Sequence, residues 1–125
     1  MEIDLTDFSA LQQQALFDLL ILAMYADGHL ATVEDEHLQK LLTAMGHTAE
    51  SDRQREFDEA VTRIRPIIQS VWKAKNEALR LADAFTDRTQ QKRVFEAVEH
   101  IMSWDQHISN WESTLLMELR MKFRL

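Results

Sequence analysis

From about Asp7 to Ala26 the side chains repeat with helical spacing, and from Ala15 onward they are apolar on nearly every side, with Asp18 the interruption. A helix without a polar face belongs at the centre of a core. Asp27-Gly28 ends it, because glycine supplies the positive φ that closes a helix cheaply. Thr32 then opens a second helix, with Asp35 in the capping-box position, an apolar stripe of His37, Leu38, Leu41, Leu42 and Met45, and Gly46 as its stop. Phe57, Ala60, Val61, Ile64, Ile68, Val71, Ala74, Ala78, Leu81, Ala82 and Phe85 keep helical spacing across Pro66. Proline removes an internal helix hydrogen bond, so two helices are expected there, with Pro66 in the first turn of the second. A further helix begins near Thr86-Asp87 and buries Val94, Phe95, Ala97, Val98, Ile101 and Met102. Ser109 and Glu112 frame the cap of the last, whose stripe is Trp111, Leu115, Leu116, Leu119 and Phe123. The expectation is an all-α bundle of six or seven helices forming a single domain over residues 1–125, since no linker or low-complexity stretch divides it.

The two ends of the chain also match each other. Shifted by 78 positions, Phe17 falls on Phe95, Met24 on Met102, Glu34 on Glu112, Leu38 on Leu116 and Leu41 on Leu119, while Asp27-Gly28-His29-Leu30 falls on Asp105-Gln106-His107-Ile108. Amphipathic helices can agree by patterning alone, but patterning does not demand matching Asp, His and Glu positions. The repeated unit is therefore an apolar helix, a short loop and a second capped helix.

Composition narrows the picture. Two glycines and one proline in 125 residues suit helices better than a sheet rich in tight turns. Cysteine is absent, which removes disulfides, thiolate zinc sites and thiol catalysis. The net charge is −7, and residues 1–60 carry thirteen acids against three bases. Such an acidic half repels phosphates and argues against nucleic acid as a partner. The bases of the second half (among them Arg63, Arg65, Lys73, Lys75, Arg88, Lys92, Arg93, Arg120, Lys122 and Arg124) are scattered and read as solvated helix surface. The stretch from Ala15 to Ala26 is too short to span a bilayer, and Met1-Glu2-Ile3-Asp4 lacks the basic start of a secretory signal, so a cytoplasmic chain without a transmembrane segment is expected.

Each repeat reads Asp-x-His-[Leu/Ile]-x-x-x-Glu, with Asp27 and Glu34 in one copy and Asp105 and Glu112 in the other. Both glutamates lie three and four residues before apolar stripe positions, which puts them on the extension of the inward face. A carboxylate there needs a partner. The backbone is one, since Glu112 can accept from the Ser109 amide and both aspartates can cap loop amides. A metal is the other. Carboxylate oxygens suit Ca²⁺ or Mg²⁺, and His29 and His107 as additional ligands would tilt the choice towards Zn²⁺ or Mn²⁺. Exposed loop positions are the alternative for the two histidines. The loops are too short for a twelve-residue EF-hand.

At these residues the chain resembles the TerB-like family, named for a bacterial tellurite-resistance protein and shared with the N-terminal region of a DnaJ-type co-chaperone. The family hallmark is a pair of [apolar]-x-x-Ala-Asp-Gly-x-[Ile/Leu]-x-x-x-Glu segments. Met24-Tyr25-Ala26-Asp27-Gly28-His29-Leu30-Ala31-Thr32-Val33-Glu34 is close to it. Ser103-Trp104-Asp105-Gln106-His107-Ile108-Ser109-Asn110-Trp111-Glu112 keeps Asp and Glu but has Trp-Gln in place of Ala-Gly. The motifs and their flanking helices cover about half the chain. The resemblance implies a compact bundle of about seven helices, a part in bacterial stress and tellurite resistance, and a metal-binding surface at Asp27, Glu34, Asp105 and Glu112. It supplies no reaction.

Three functions are expected in turn: a non-enzymatic metal-binding interaction module, a metal-independent protein scaffold whose acidic loops only cap helices, and a metal-assisted hydrolase. The last is disfavoured, because no phosphate loop, nucleophile elbow or His-Glu-x-x-His is present. A protein partner is expected, with Trp72, Trp104 and Trp111 as anchor candidates; packing into the core is their plainer role. Arg120, Lys122 and Arg124 beside Met121 and Phe123 suggest peripheral membrane contact. The pattern leaves self-association open.

Overall fold

The computed structural model describes residues 5–26, 36–102 and 110–125, and for residues 26, 37, 101, 102 and 110–112 it describes the backbone alone. All elements among the described residues are helices: α1 (Ala10–Ala26), α2 (Glu36–Ala44), α3 (Glu50–Ile64), α4 (Val71–Ala82), α5 (Arg88–Met102) and α6 (Asn110–Phe123). They form the expected helical bundle.

Local chemistry sets the ends. Ser9 and Gln12 close a reciprocal cap on α1, with the Ser9 amide donating to Gln12 Oε1 at 2.9 Å and the Gln12 amide to Ser9 Oγ at 3.1 Å. Asp87 caps α5 by accepting from the Gln90 amide at 3.1 Å. Gly46, at φ 102°, ends α2: the His47 amide reaches Leu42 O and the Gly46 amide Thr43 O, both at 3.0 Å. These are the two bonds of a Schellman close.

Pro66 lies elsewhere than expected. α3 ends at Ile64, residues 65–70 form a turn in which the Ile67 and Ile68 amides both reach Ile64 O, and Ser70 caps α4 by accepting from the Lys73 amide at 3.4 Å. Two helices do meet in this region, but Pro66 sits in the turn between them. Ser70 offers an acceptor to the first turn of α4, which proline cannot.

α1 is the hub. From Ala15 to Met24 every residue is buried, and the helix packs against α3, α4, α5 and α6. This is why it has no polar face. Phe17, Leu20, Leu42, Phe57, Ala60, Ile64, Ala78, Leu81, Val94, Val98, Leu119 and Phe123 belong to one continuous core. Val71 departs from the expected stripe: it is 45% exposed, because the helical register restarts after the 65–70 turn.

Shared contacts fix the relative direction of the helices. Gln12 near the start of α1 bonds Gln90 near the start of α5, and towards their other ends Leu19, Leu22 and Ala23 share an apolar gap with Val98. These two helices therefore run the same way. The same gap is lined by Ala78 of α4 and by Leu115 and Leu119 of α6, while Gln12 reaches Ala84 O and Arg88 reaches Phe123 O. Hence α4 and α6 run opposite to α1 and α5. One end of the bundle gathers the starts of α1 and α5 with the finishes of α4 and α6. The other end gathers the finishes of α1 and α5, at Ala26 and Met102, with the starts of α4 and α6.

Candidate functional site

Asp27, His29, Glu34, Asp105 and His107, with Trp104, lie outside the described residues; Glu112 and Trp111 lie on α6, described there by backbone only. The described residues bear on them through the frame that carries them. α1 and α5, the helices leading to Asp27 and to Asp105, finish at the same end of the bundle. No group of three or more His, Asp or Glu side chains able to hold a metal occurs among the described residues.

The internal repeat is deeper in structure than in sequence. Ser9 and Asp87, the caps of α1 and α5, are 78 positions apart, as are Gly46 and Arg124. Arg124 takes a positive φ of 55°, the Leu125 amide reaches Arg120 O at 3.0 Å and the Arg124 amide Met121 O at 3.2 Å. That is the Schellman close of Gly46, made by a residue with a side chain. Each unit thus spans a capped start and a Schellman finish, 9–47 and 87–125. At the starts, Gln12 and Gln90 face one another. Gln12 Nε2 donates to Gln90 Oε1 at 3.0 Å and to Ala84 O at 2.9 Å; Gln90 Nε2 donates to Asp7 O at 2.7 Å and to Gln12 Oε1 at 3.3 Å. Each amide also serves a carbonyl on the segment leading into the other unit. Gln90 is only 6% exposed, and this pairing satisfies it. Gln13 and Gln91, also 78 apart, reach back to Phe8 O and Phe85 O, whose rings touch with centroids 5.7 Å apart.

The units then differ. α6 packs against α4, α5 and α1, whereas α2 rests chiefly on α3.

The buried charge in α1 is answered from α3. Asp18, 4% exposed, accepts a forked pair of bonds from Arg63, Nη2 to Oδ1 at 2.8 Å and Nε to Oδ2 at 3.1 Å. The Asp18 carboxylate, with Glu59 and Glu56 adding to its field, holds the Arg63 guanidinium above the ordinary arginine range against the opposing effect of burial. Arg63 is thus part of the structure and not the solvated base its sequence context suggests. Arg80 is raised in the same sense by its hydrogen bond to Glu77.

Most other cations are engaged as well. Arg53 serves the carbonyls of His47 and Thr48, Arg93 pairs with Asp7, Lys122 with Asp83 and Lys40 with Glu36, and Arg120 stacks on Phe95 at 5.4 Å. Arg88 donates to the carbonyls of Phe123 and Arg124. Phe123 is buried, so of that set Met121 is the apolar residue that faces outward, beside the exposed Arg120, Lys122 and Arg124. No helix among the described residues is long and apolar enough to cross a membrane.

Trp72 corrects the plainer expectation for the tryptophans: it is 68% exposed and outside the core. The inward positions of α4 are Ala74, Ala78, Leu81 and Ala82, and residue 72 falls off that stripe.

Comparison with protein-family models, with curated proteins and with solved structures returns no match.

Proposed function

We propose that this chain is a non-enzymatic, metal-binding interaction module of the kind the TerB-like resemblance implies, serving bacterial stress or tellurite resistance, with Asp27, Glu34, Asp105 and Glu112 as the ligand set and His29 and His107 as additional donors. The observation that carries the reading is the repeat. Two units with the same capped start and the same close run their first helices side by side to one end of the bundle, and each is followed by an Asp…Glu segment of the same spacing. Oxygen donors brought together in pairs suit a divalent cation. Calorimetric titration with Ca²⁺, Mg²⁺, Mn²⁺ and Zn²⁺ tests it. At least one ion should bind, and the double variant Asp27→Ala, Asp105→Ala should lose that binding. Silence with all four ions, or heat unchanged in the double variant, ends the metal reading.

A second reading, a metal-independent scaffold, is favoured by the exposure of Trp72, since a large aromatic held outside a core is a common interface anchor. The two readings part on whether a partner still binds once divalent ions are removed.

A further inference from the structure

α6 packs on α1, α4 and α5 and buries Leu115, Leu119 and Phe123. At about 3.6 residues per turn, Met117 and Met121 fall on the opposite side of that helix, one turn apart on one ridge. Their side chains are 59% and 67% exposed. The other methionines whose side chains are described sit differently. Met24, near the end of α1, is 1% exposed, and Met45 packs against the core. The fold thus sorts its thioethers into a pair in water and others held inside.

We propose that Met117 and Met121 are a paired site of reversible oxidation, at which peroxide converts the thioethers to sulfoxides while the bundle stays folded. The sulfur lone pair attacks one peroxide oxygen, and the S–O bond forms as the O–O bond breaks. The released hydroxide takes up the proton of the transferred oxygen and leaves as water. Each sulfur is oxidised and each peroxide reduced. A sulfoxide is polar, and inside a core it disrupts packing. On the outer ridge of α6 water meets the new oxygen, and Leu115, Leu119 and Phe123 keep their places. Met24 is reached only when the fold opens. The same exposure that admits the oxidant leaves the sulfoxides open to the reductases that restore them. The proposal needs neither a metal nor a partner, and it stands apart from the proposed function.

The full chain is treated with dilute hydrogen peroxide in EDTA, quenched at intervals and digested, and mass spectrometry reads the sulfoxide at each methionine separately. Met117 and Met121 should oxidise about tenfold or more faster than Met24, with Met45 slower than either of the pair. In guanidinium, where the chain is unfolded, the rates should converge. Far-UV circular dichroism and the urea midpoint should be unchanged once both residues are converted. Sulfoxide reductases specific for each epimer, with a thiol as reductant, should return both to thioethers in the folded chain. Comparable rates in the folded chain, or a contrast that persists in guanidinium, overturns the proposal. So does loss of the helical signal as the pair is converted, or sulfoxides at 117 and 121 that the reductases do not reach.

Discussion

The Asp18–Arg63 pair is unequally shielded, and that inequality can be measured. The Asp18 side chain is 6% exposed and the Arg63 side chain 37%. Arg63→Met removes the charge but keeps most of the packing stem. It leaves a carboxylate among the buried residues of α1 with two bonds lost. Breaking a fully buried pair from one side costs about 3–5 kcal/mol; water reaching the vacated, partly open side lowers this to about 2–3 kcal/mol. Asp18→Leu leaves the more exposed partner, which can turn towards solvent and towards Glu59 and Glu56, so the loss should be about 1 kcal/mol or less. The double variant Asp18→Leu, Arg63→Met should return to within about 1 kcal/mol of wild type, because two apolar residues then face each other. Urea unfolding followed by circular dichroism reads these differences as midpoint shifts at constant slope. Arg63→Met should also lower Tm by roughly 10 °C. Arg63→Lys supplies the pH arm. A cation stabilised by its partner contributes fully below its unfolded pKa, and the contribution fades as pH rises through its folded value. The wild-type guanidinium, already pushed above the arginine range, keeps its charge in mild alkali. The lysine variant should lose stability relative to wild type as pH passes about 10–11. Equal small losses in both single variants, or a double variant no better than Arg63→Met, would refute the reasoning, since they would mean that Asp18 is not truly desolvated.

Two further perturbations probe the repeat. Gln90→Leu should cost about 1–3 kcal/mol by leaving Asp7 O and one side of Gln12 unserved, and Gln12→Leu added to it should cost less than the sum of the two single changes, as urea midpoints in a double-mutant cycle will show. Gly46→Ala should cost about 1–2 kcal/mol through backbone conformation alone, since a Cβ there meets nothing within 4 Å, while Arg124→Gly should gain up to about 1 kcal/mol by the same measure.

The helices are legible because their periodicity and their caps agree. Asp87 precedes a run of helical spacing, Gly46 follows one, and the all-round apolarity of residues 15–26 marks α1 as central without knowledge of any contact. What cannot be read is tertiary. Asp18 and Arg63 are 45 positions apart, so nothing local distinguishes Arg63 from a solvated base. Gln12 and Gln90 look like ordinary surface residues of a first helical turn until two such turns are placed side by side. Carrying one helical phase across Pro66 draws Val71 into the stripe, where a six-residue turn in fact resets the phase, and size alone assigns Trp72 to the core. The candidate ligands are legible as a spacing, Asp to Glu over seven positions, twice.

The unequal seating of the second helices has a consequence for motion. Among the described residues α2 rests chiefly on α3, and it covers the core with Leu38 and Leu42. Most of a helix's stability comes from the packing of its apolar face. α2 should therefore detach in excursions far smaller than global unfolding, while the amides of α1 exchange with solvent only when everything opens. Anything that clasps α2 from outside would then tighten the first unit more than the second.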